Sequence, residues 1–385
     1  LSFLLCSLCT PLQRKMNNNY KMCDIKSLAN DFIYGRDKKG NLFRIDRKRL
    51  CSPNAMVLSD SKIKTVSYCI NEMEQVLLST DDDIIVIDTE GYYLDFAKRY
   101  SGNYITIGQE DKVFSDQLVN YESYDCCIDF TSGKKEFICS IFDILNDERL
   151  TAIQNSLLWP YLNESIIIEK VNDYSNEKTK NRIPTLNSLL ETLRKTDNKE
   201  IEHLANILDC GLNLYPVLST EEQSNYKNNR LTIYNISKLS GKNKTLAHII
   251  LFEKIYNQMI INSHVHKYTW IYLDSIELLY ETCRGMDHLS GFYKRARMLY
   301  GIPTLCVKTS DILNSLKKTD TLDLIKINLL LSNSNVIAIF NPNQEEIPEL
   351  KDLLNISEVQ MMSASDEDSF IMCCGNNIVK LKNTF

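Results

Sequence analysis

Between residues 55 and 88 the hydrophobic period changes twice, and that change constrains the fold more than any other feature. Ala55 to Leu58 is a short apolar run. Lys62 to Ser79 then places Ile63, Val66, Ile70, Met73, Val76 and Leu77 at helical spacing, and Ile84 to Ile87 is a continuous β-branched run ending at Asp88. A short apolar run without polar alternation marks a strand covered on both faces, as in parallel sheets, and a parallel pair needs a crossover between its strands. The stretch therefore reads as strand, helix, strand.

The same rhythm recurs later. Tyr104 to Ile107, Arg230 to Ile236, Trp270 to Leu273, Pro303 to Val307 and Val336 to Phe340 read as strands. Leu246 to Ile261, Met286 to Tyr300 and the stretch near 310–332 read as helices between them. Before the first unit, residues 32–46 read as a hairpin turning at Lys38 to Asn41, and two short strands, Phe370 to Cys373 and Ile378 to Leu381, close the chain. From about 135 to 215 the period is helical throughout, with Pro184 suited to a first helical turn, so an all-helical insertion is expected there. Alternating β and α elements imply an α/β fold with a three-layer sheet over residues 31–385.

The bulk numbers narrow the function classes. With 385 residues, 44% hydrophobic and 24% charged, the chain can bury a sizeable core. A net charge of −6 without a long basic tract argues against general nucleic-acid affinity, and no direct sequence-specific nucleic-acid partner is expected. No apolar stretch approaches the roughly 20 residues that span a bilayer. Thirteen scattered cysteines point to a reducing compartment rather than a disulfide framework, and no second pair completes a metal site around Cys6 and Cys9. Residues 1–30 begin without Met and without a basic leader, and are expected to be the remnant of an upstream domain or linker.

Several strings, in order and at their spacing, carry a resemblance: "FIYGRDKKGNLFRIDRKRLCSPNAMVL", "LLSTDDDIIVIDTEGYY", "NRLTIYNISKL", "YTWIYLDSIELLYE", "KRARMLYGIPT" and "SNSNVIAIFNPN". Together they resemble the C-terminal motor domain of conjugative type IV secretion ATPases, the TraE/TrbE or VirB-four class, from about residue 30 onward. The resemblance implies a RecA-like P-loop NTPase fold, hexamers, and ATP use at the cytoplasmic base of a DNA- or protein-export channel. It also implies an intact paralogous ATPase and other type IV secretion subunits as partners, in a homo- or hetero-hexamer. The expected place is the cytoplasm or the inner face of the cell membrane.

At the catalytic positions the chain departs from that pattern. A phosphate loop uses glycines so that backbone N–H groups converge on phosphate, a Lys for the β/γ-phosphates and a hydroxyl for Mg²⁺. The matching stretch is Ser59, Asp60, Ser61, Lys62, Ile63, Lys64, Thr65 and Val66, with no glycine. Without gaps, the family's glycines fall on Ser59, Lys62 and Lys64, its Lys on Thr65 and its hydroxyl on Val66. Deleting one loop residue instead brings Lys64 and Thr65 to the Lys-hydroxyl pair, which would make a weak ATPase through a rebuilt loop. Asp274 occupies the metal-holding strand end, but Ser275 stands where the water-activating acid belongs, and a hydroxyl cannot take a proton as a carboxylate does. Lys308 stands in place of the γ-phosphate sensor. Asp88 and Glu90 match the family's acidic strand-end motif, with Thr89 for its Pro. Arg295 and Arg297 lie where the family carries arginines that act across a subunit interface; a solvated basic face explains them equally well.

The resemblance with these losses implies a degenerate, non-hydrolysing ATPase-like subunit for which no cofactor is expected, ATP and Mg²⁺ entering only if the altered site still binds. An unrelated α/β binding module is the third reading. Elsewhere, "SGKKE" at 132–136 and "SGKNKT" at 240–245 lack phosphate-loop spacing, and Gly241 reads as a turn residue. His264 and His266 lack a third metal ligand, and the adjacent pairs Cys126–Cys127 and Cys373–Cys374 read as core thiols.

Overall fold

A computed structural model describes residues 31–107, 130–162, 185–218, 229–274, 285–317, 321–354, 356–357, 369–375 and 377–383. The expected upstream remnant at 1–30, the vicinal Cys126 and Cys127, and Ser275 lie outside the described residues.

Eleven strands form one sheet: β1 (Phe32–Arg36), β2 (Leu42–Ile45), β3 (Ala55–Leu58), β4 (Asp83–Asp88), β5 (Asn103–Thr106), β6 (Leu231–Asn235), β7 (Thr269–Asp274), β8 (Gly301–Val307), β9 (Val336–Phe340), β10 (Ser369–Cys374) and β11 (Asn377–Lys382). Their order is β2-β1-β11-β10-β9-β3-β8-β7-β4-β6-β5. The block from β9 to β5 is parallel, and β10, β11, β1 and β2 extend it antiparallel. The N-terminal hairpin thus does not stand apart: Arg36 of β1 pairs with Lys382 of β11, so the two ends of the fold share one edge.

Strand alternation sends side chains to two cores. Ala55, Val57, Ile84, Val86, Trp270 and Tyr272 face one side, where α1 (Lys62–Ser79) and α2 (Leu94–Arg99) pack. Met56, Leu58, Ile85, Ile87, Ile271 and Leu273 face the other. That second face carries α3 (Phe130–Asn146), α4 (152–162), α5 (Leu186–Leu193), α6 (Lys199–Leu214), α7 (Gly241–His264) and α8 (Gly285–Ala296). Also on it are α9 (Thr309–Lys317), α10 (Thr321–Ser332) and α11 (Ile347–Leu354). The described residues between β5 and β6 are helical apart from short connections. The "SGKKE" stretch is an ordinary part of α3.

Two helices, α2 and α11, have no counterpart in the periodicity. Each is short, six and eight residues, so too few apolar positions recur to reveal a period. The buried stripe of α1 also differs from the one expected. Thr65, Cys69, Glu72, Met73 and Val76 are buried, whereas Ile63 is exposed because it lies, with half-buried Ile70 and Leu77, on the flank of the helix rather than on the line that faces the sheet.

Candidate functional site at the carboxyl ends of the parallel strands

Strand β3 sits between β8 and β9, so its crossover through α1 leads to one side of the sheet while the chain after β8 crosses to the other. In open α/β sheets this switch point opens a crevice at the carboxyl ends of the strands, where ligands bind. Here it collects residues 59–66, Asp88, Glu90, Asp274 and Lys308.

The β3–α1 connection is short. α1 begins at Lys62, so only Ser59, Asp60 and Ser61 join it to β3. Their hydrogen-bonding groups are turned inward: the Ser59 N–H donates to the Val307 carbonyl at 3.2 Å and the Ser61 N–H to Ser59 Oγ at 3.0 Å. Asp60 Oδ1 accepts from the Ser310 N–H at 3.2 Å and from Ser310 Oγ at 2.9 Å, so Asp60 caps α9 from outside that helix. Thr65 is buried and its hydroxyl donates back to the Ser61 carbonyl at 3.2 Å. Val66 is in the core and Lys64 is half-buried on the first turns of α1.

Lys62 reaches across this turn to two strand ends. Its Nζ lies 2.7 Å from Asp274 Oδ1 and 3.3 Å from Glu90 Oε1, with the Tyr92 ring at 5.8 Å. Asp274 is 1% exposed and Lys62 16% on their side chains, so the pair is largely out of water. Burial pushes the Asp274 carboxyl up to about 6, against the pull of the Lys62 ammonium. Burial acts to lower the Lys62 ammonium, but Asp274 and Glu90 outweigh it and the net shift is upward. Both partners are thus charged at neutral pH, and each oxygen-to-nitrogen contact is a charge-assisted one.

Asp88 does something different. Its Oδ1 accepts from the N–H groups of Gly91 at 2.7 Å, Tyr92 at 3.2 Å and Glu90 at 3.3 Å, and its Oδ2 from Tyr93 N–H at 3.1 Å and Tyr104 Oη at 3.3 Å. Asp88 therefore builds the 88–93 turn, in which Gly91 takes φ +89°, and so presents Glu90 to Lys62. Lys308 is exposed at the end of β8. Gly241, the first residue of α7, takes φ +52°, and Lys244 Nζ donates to the Thr89 carbonyl at 3.1 Å, so the "SGKNKT" stretch braces the rim of the crevice.

The arginines are not brought to this crevice. Thr269 pairs with Gly301 at one end of β7 and Asp274 with Cys306 at the other. Arg295 and Arg297, just before Gly301, therefore lie at the far end of the strand, about 17 Å away at ~3.3 Å per residue. Arg295 Nε donates to the Gly291 carbonyl at 3.2 Å, Nη1 lies 3.8 Å from Glu136 Oε2, and the guanidinium lies over Tyr256.

A buried charge cluster beneath α1 escaped the sequence reading. Glu72 and Arg47 are both fully buried, with Arg47 Nη1 at 2.9 and 2.8 Å from the two Glu72 oxygens. Tyr34 and Tyr272 hydroxyls also donate to Glu72, and Arg47 reaches Thr304 Oγ1 at 2.7 Å and the Pro303 carbonyl at 2.8 Å. The cluster ties α1 to β7 and β8, the strands under Lys62. A signal was available: a Glu inside the Cys69, Met73, Val76 stripe calls for a buried cation.

Solved structures share this fold. VirB4 of Thermoanaerobacter pseudethanolicus superposes with a TM-score of 0.74 at 14% identity, over 92% of this chain and 96% of that one. The chain has the fold of the RecA-like conjugation ATPases. The bacterial conjugative coupling protein TrwB with sulphate matches at a TM-score of 0.57 and 10% identity, over 86% of this chain and 85% of that one. TrwB in complex with ADP and Mg²⁺ matches at 0.54 and 10%, over 86% and 84%. No protein-family model and no curated protein matches the sequence significantly, so the similarity is one of three-dimensional form.

Proposed function

We propose that this protein is a degenerate, non-hydrolysing ATPase-like subunit of a conjugative type IV secretion apparatus, with a structural or regulatory role in DNA or protein export. The fold shared with VirB4 and TrwB supports the class of machine. One observation carries the loss of catalysis: a three-residue, glycine-free turn joins β3 to a helix that starts at Lys62. A triphosphate needs several backbone N–H groups arched around it, and a turn this short with Cβ atoms throughout cannot form that arch. The residues present therefore do not fit ATP·Mg²⁺. A rebuilt loop using Lys64 and Thr65 is disfavoured because the Thr65 hydroxyl is buried and bonded to the Ser61 carbonyl.

In this reading the partners are an intact paralogous ATPase and other secretion subunits, in a homo- or hetero-hexamer in which Arg295 and Arg297 face a neighbour. The expected place is the cytoplasm or the inner membrane face. No helix among the described residues is long and apolar enough to cross a membrane. Purified protein assayed for phosphate release from ATP with Mg²⁺ should match the Asp274→Ala variant and the blank. Turnover above blank that disappears in Asp274→Ala would return the protein to the working motors.

A further inference from the structure

The β3–α1 turn does more than lack a phosphate cradle, because it sends one charge of each sign into the crevice. Lys62 carries an ammonium to the carboxylate of Asp274, which ends β7, at 2.7 Å and to that of Glu90, within the 88–93 turn, at 3.3 Å. Strand-end carboxylates of this kind hold a divalent cation in nucleotide sites. Two residues earlier, Asp60 carries a carboxylate to the start of α9, where it accepts from the Ser310 N–H and hydroxyl. The N-terminus of a helix is where an anion is stabilised.

We propose that residues 59–62 act as an internal ligand. Lys62 takes the place of a cation on Asp274 and Glu90, Asp60 takes the place of an anion on α9, and the crevice keeps one arrangement with or without nucleotide. The inference rests on the non-hydrolysing reading and adds to it a mechanism of regulation. A subunit of this kind holds β3, β7, the 88–93 turn and α9 in one fixed relation. Neighbours in a ring would then meet a surface that does not cycle. The Arg47–Glu72 cluster supports the same end from below by fastening α1 to β7 and β8.

Native-state hydrogen exchange on the full-length protein tests this. In Lys62→Met, amides of the first turn of α1 and of residues 89–93 should exchange faster. In Asp60→Asn the same should hold for residues 310–313. Loss of a charge-assisted contact predicts an increase of about tenfold to a hundredfold where the contact anchors the segment. Lys62→Arg, which keeps the cation, should exchange like the parent and guards against a folding defect. Adding ATP with Mg²⁺ to the parent should leave all three segments unchanged. Unchanged exchange in both Lys62→Met and Asp60→Asn would overturn the internal ligand while leaving the non-hydrolysing reading intact. Protection of these segments by ATP·Mg²⁺ in the parent would overturn it differently, by showing that the crevice takes an outside ligand, and the phosphate-release assay then decides whether that ligand is hydrolysed.

Discussion

Replacing Lys62 by Met removes one ammonium and keeps most of the side chain's volume, so the effect on stability should depend on pH. At 2.7 Å from Asp274, the Coulomb attraction is about 6 kcal/mol at an effective dielectric of ~20. Part of that is offset by desolvating the ammonium, and breaking one side of a buried pair typically costs about 3–5 kcal/mol. Lys62 keeps some contact with water, so about 3 kcal/mol is expected at pH 8. The sign follows from the titration of Asp274, whose carboxyl is raised to about 6 in the fold. A raised carboxyl makes the native state bind more protons than the unfolded chain between about pH 4 and 6, so this group's contribution falls as pH rises through that window. Without Lys62 the carboxyl shifts further upward, and the fall extends to higher pH. At pH 5 the Asp274 carboxyl is mostly protonated in both proteins, and the variant should differ from the parent by less than about 1 kcal/mol. Urea unfolding at pH 5 and pH 8 measures both differences. Equal destabilisation at the two pH values would mean that the lost interaction does not involve an ionised Asp274.

Arg47→Met should cost about 3–5 kcal/mol, read as a lowered urea midpoint, because it leaves Glu72 fully buried without its cation. Asp88→Ala removes the acceptor of four backbone N–H groups; it should cost about 2 kcal/mol and speed amide exchange at residues 90–93. Gly301→Ala should cost about 1–3 kcal/mol in thermal unfolding, since an added Cβ would stand 2.4 Å from Met259 Sδ and 2.9 Å from the Ala296 carbonyl.

The fold was legible where burial on both faces left a mark in sequence. Ile84 to Ile87 has no polar alternation because helices cover both sides of β4, and the α1 span from Lys62 to Ser79 was readable from its period. The joining of the N-terminal hairpin to β11 was not, because a pairing between the two ends of the chain leaves no local trace. The candidate site was legible by residue type and misread by geometry. The missing glycines at 59–66 were plain, yet Lys62 counted only as a lost glycine position. Its contact with Asp274 depends on only three residues separating α1 from β3, and Asp274 lies far along the chain. Asp88 read as a binding residue by its place at a strand end, whereas its two oxygens are taken up by the turn that follows.

If the crevice offers a triphosphate no seat, calorimetric titration of the full-length protein with ATP and Mg²⁺ will show it. No saturable heat is expected at millimolar nucleotide, in the parent and in Asp274→Ala alike. Stoichiometric, Mg²⁺-dependent binding that is lost in Asp274→Ala would mean that the crevice seats a nucleotide after all.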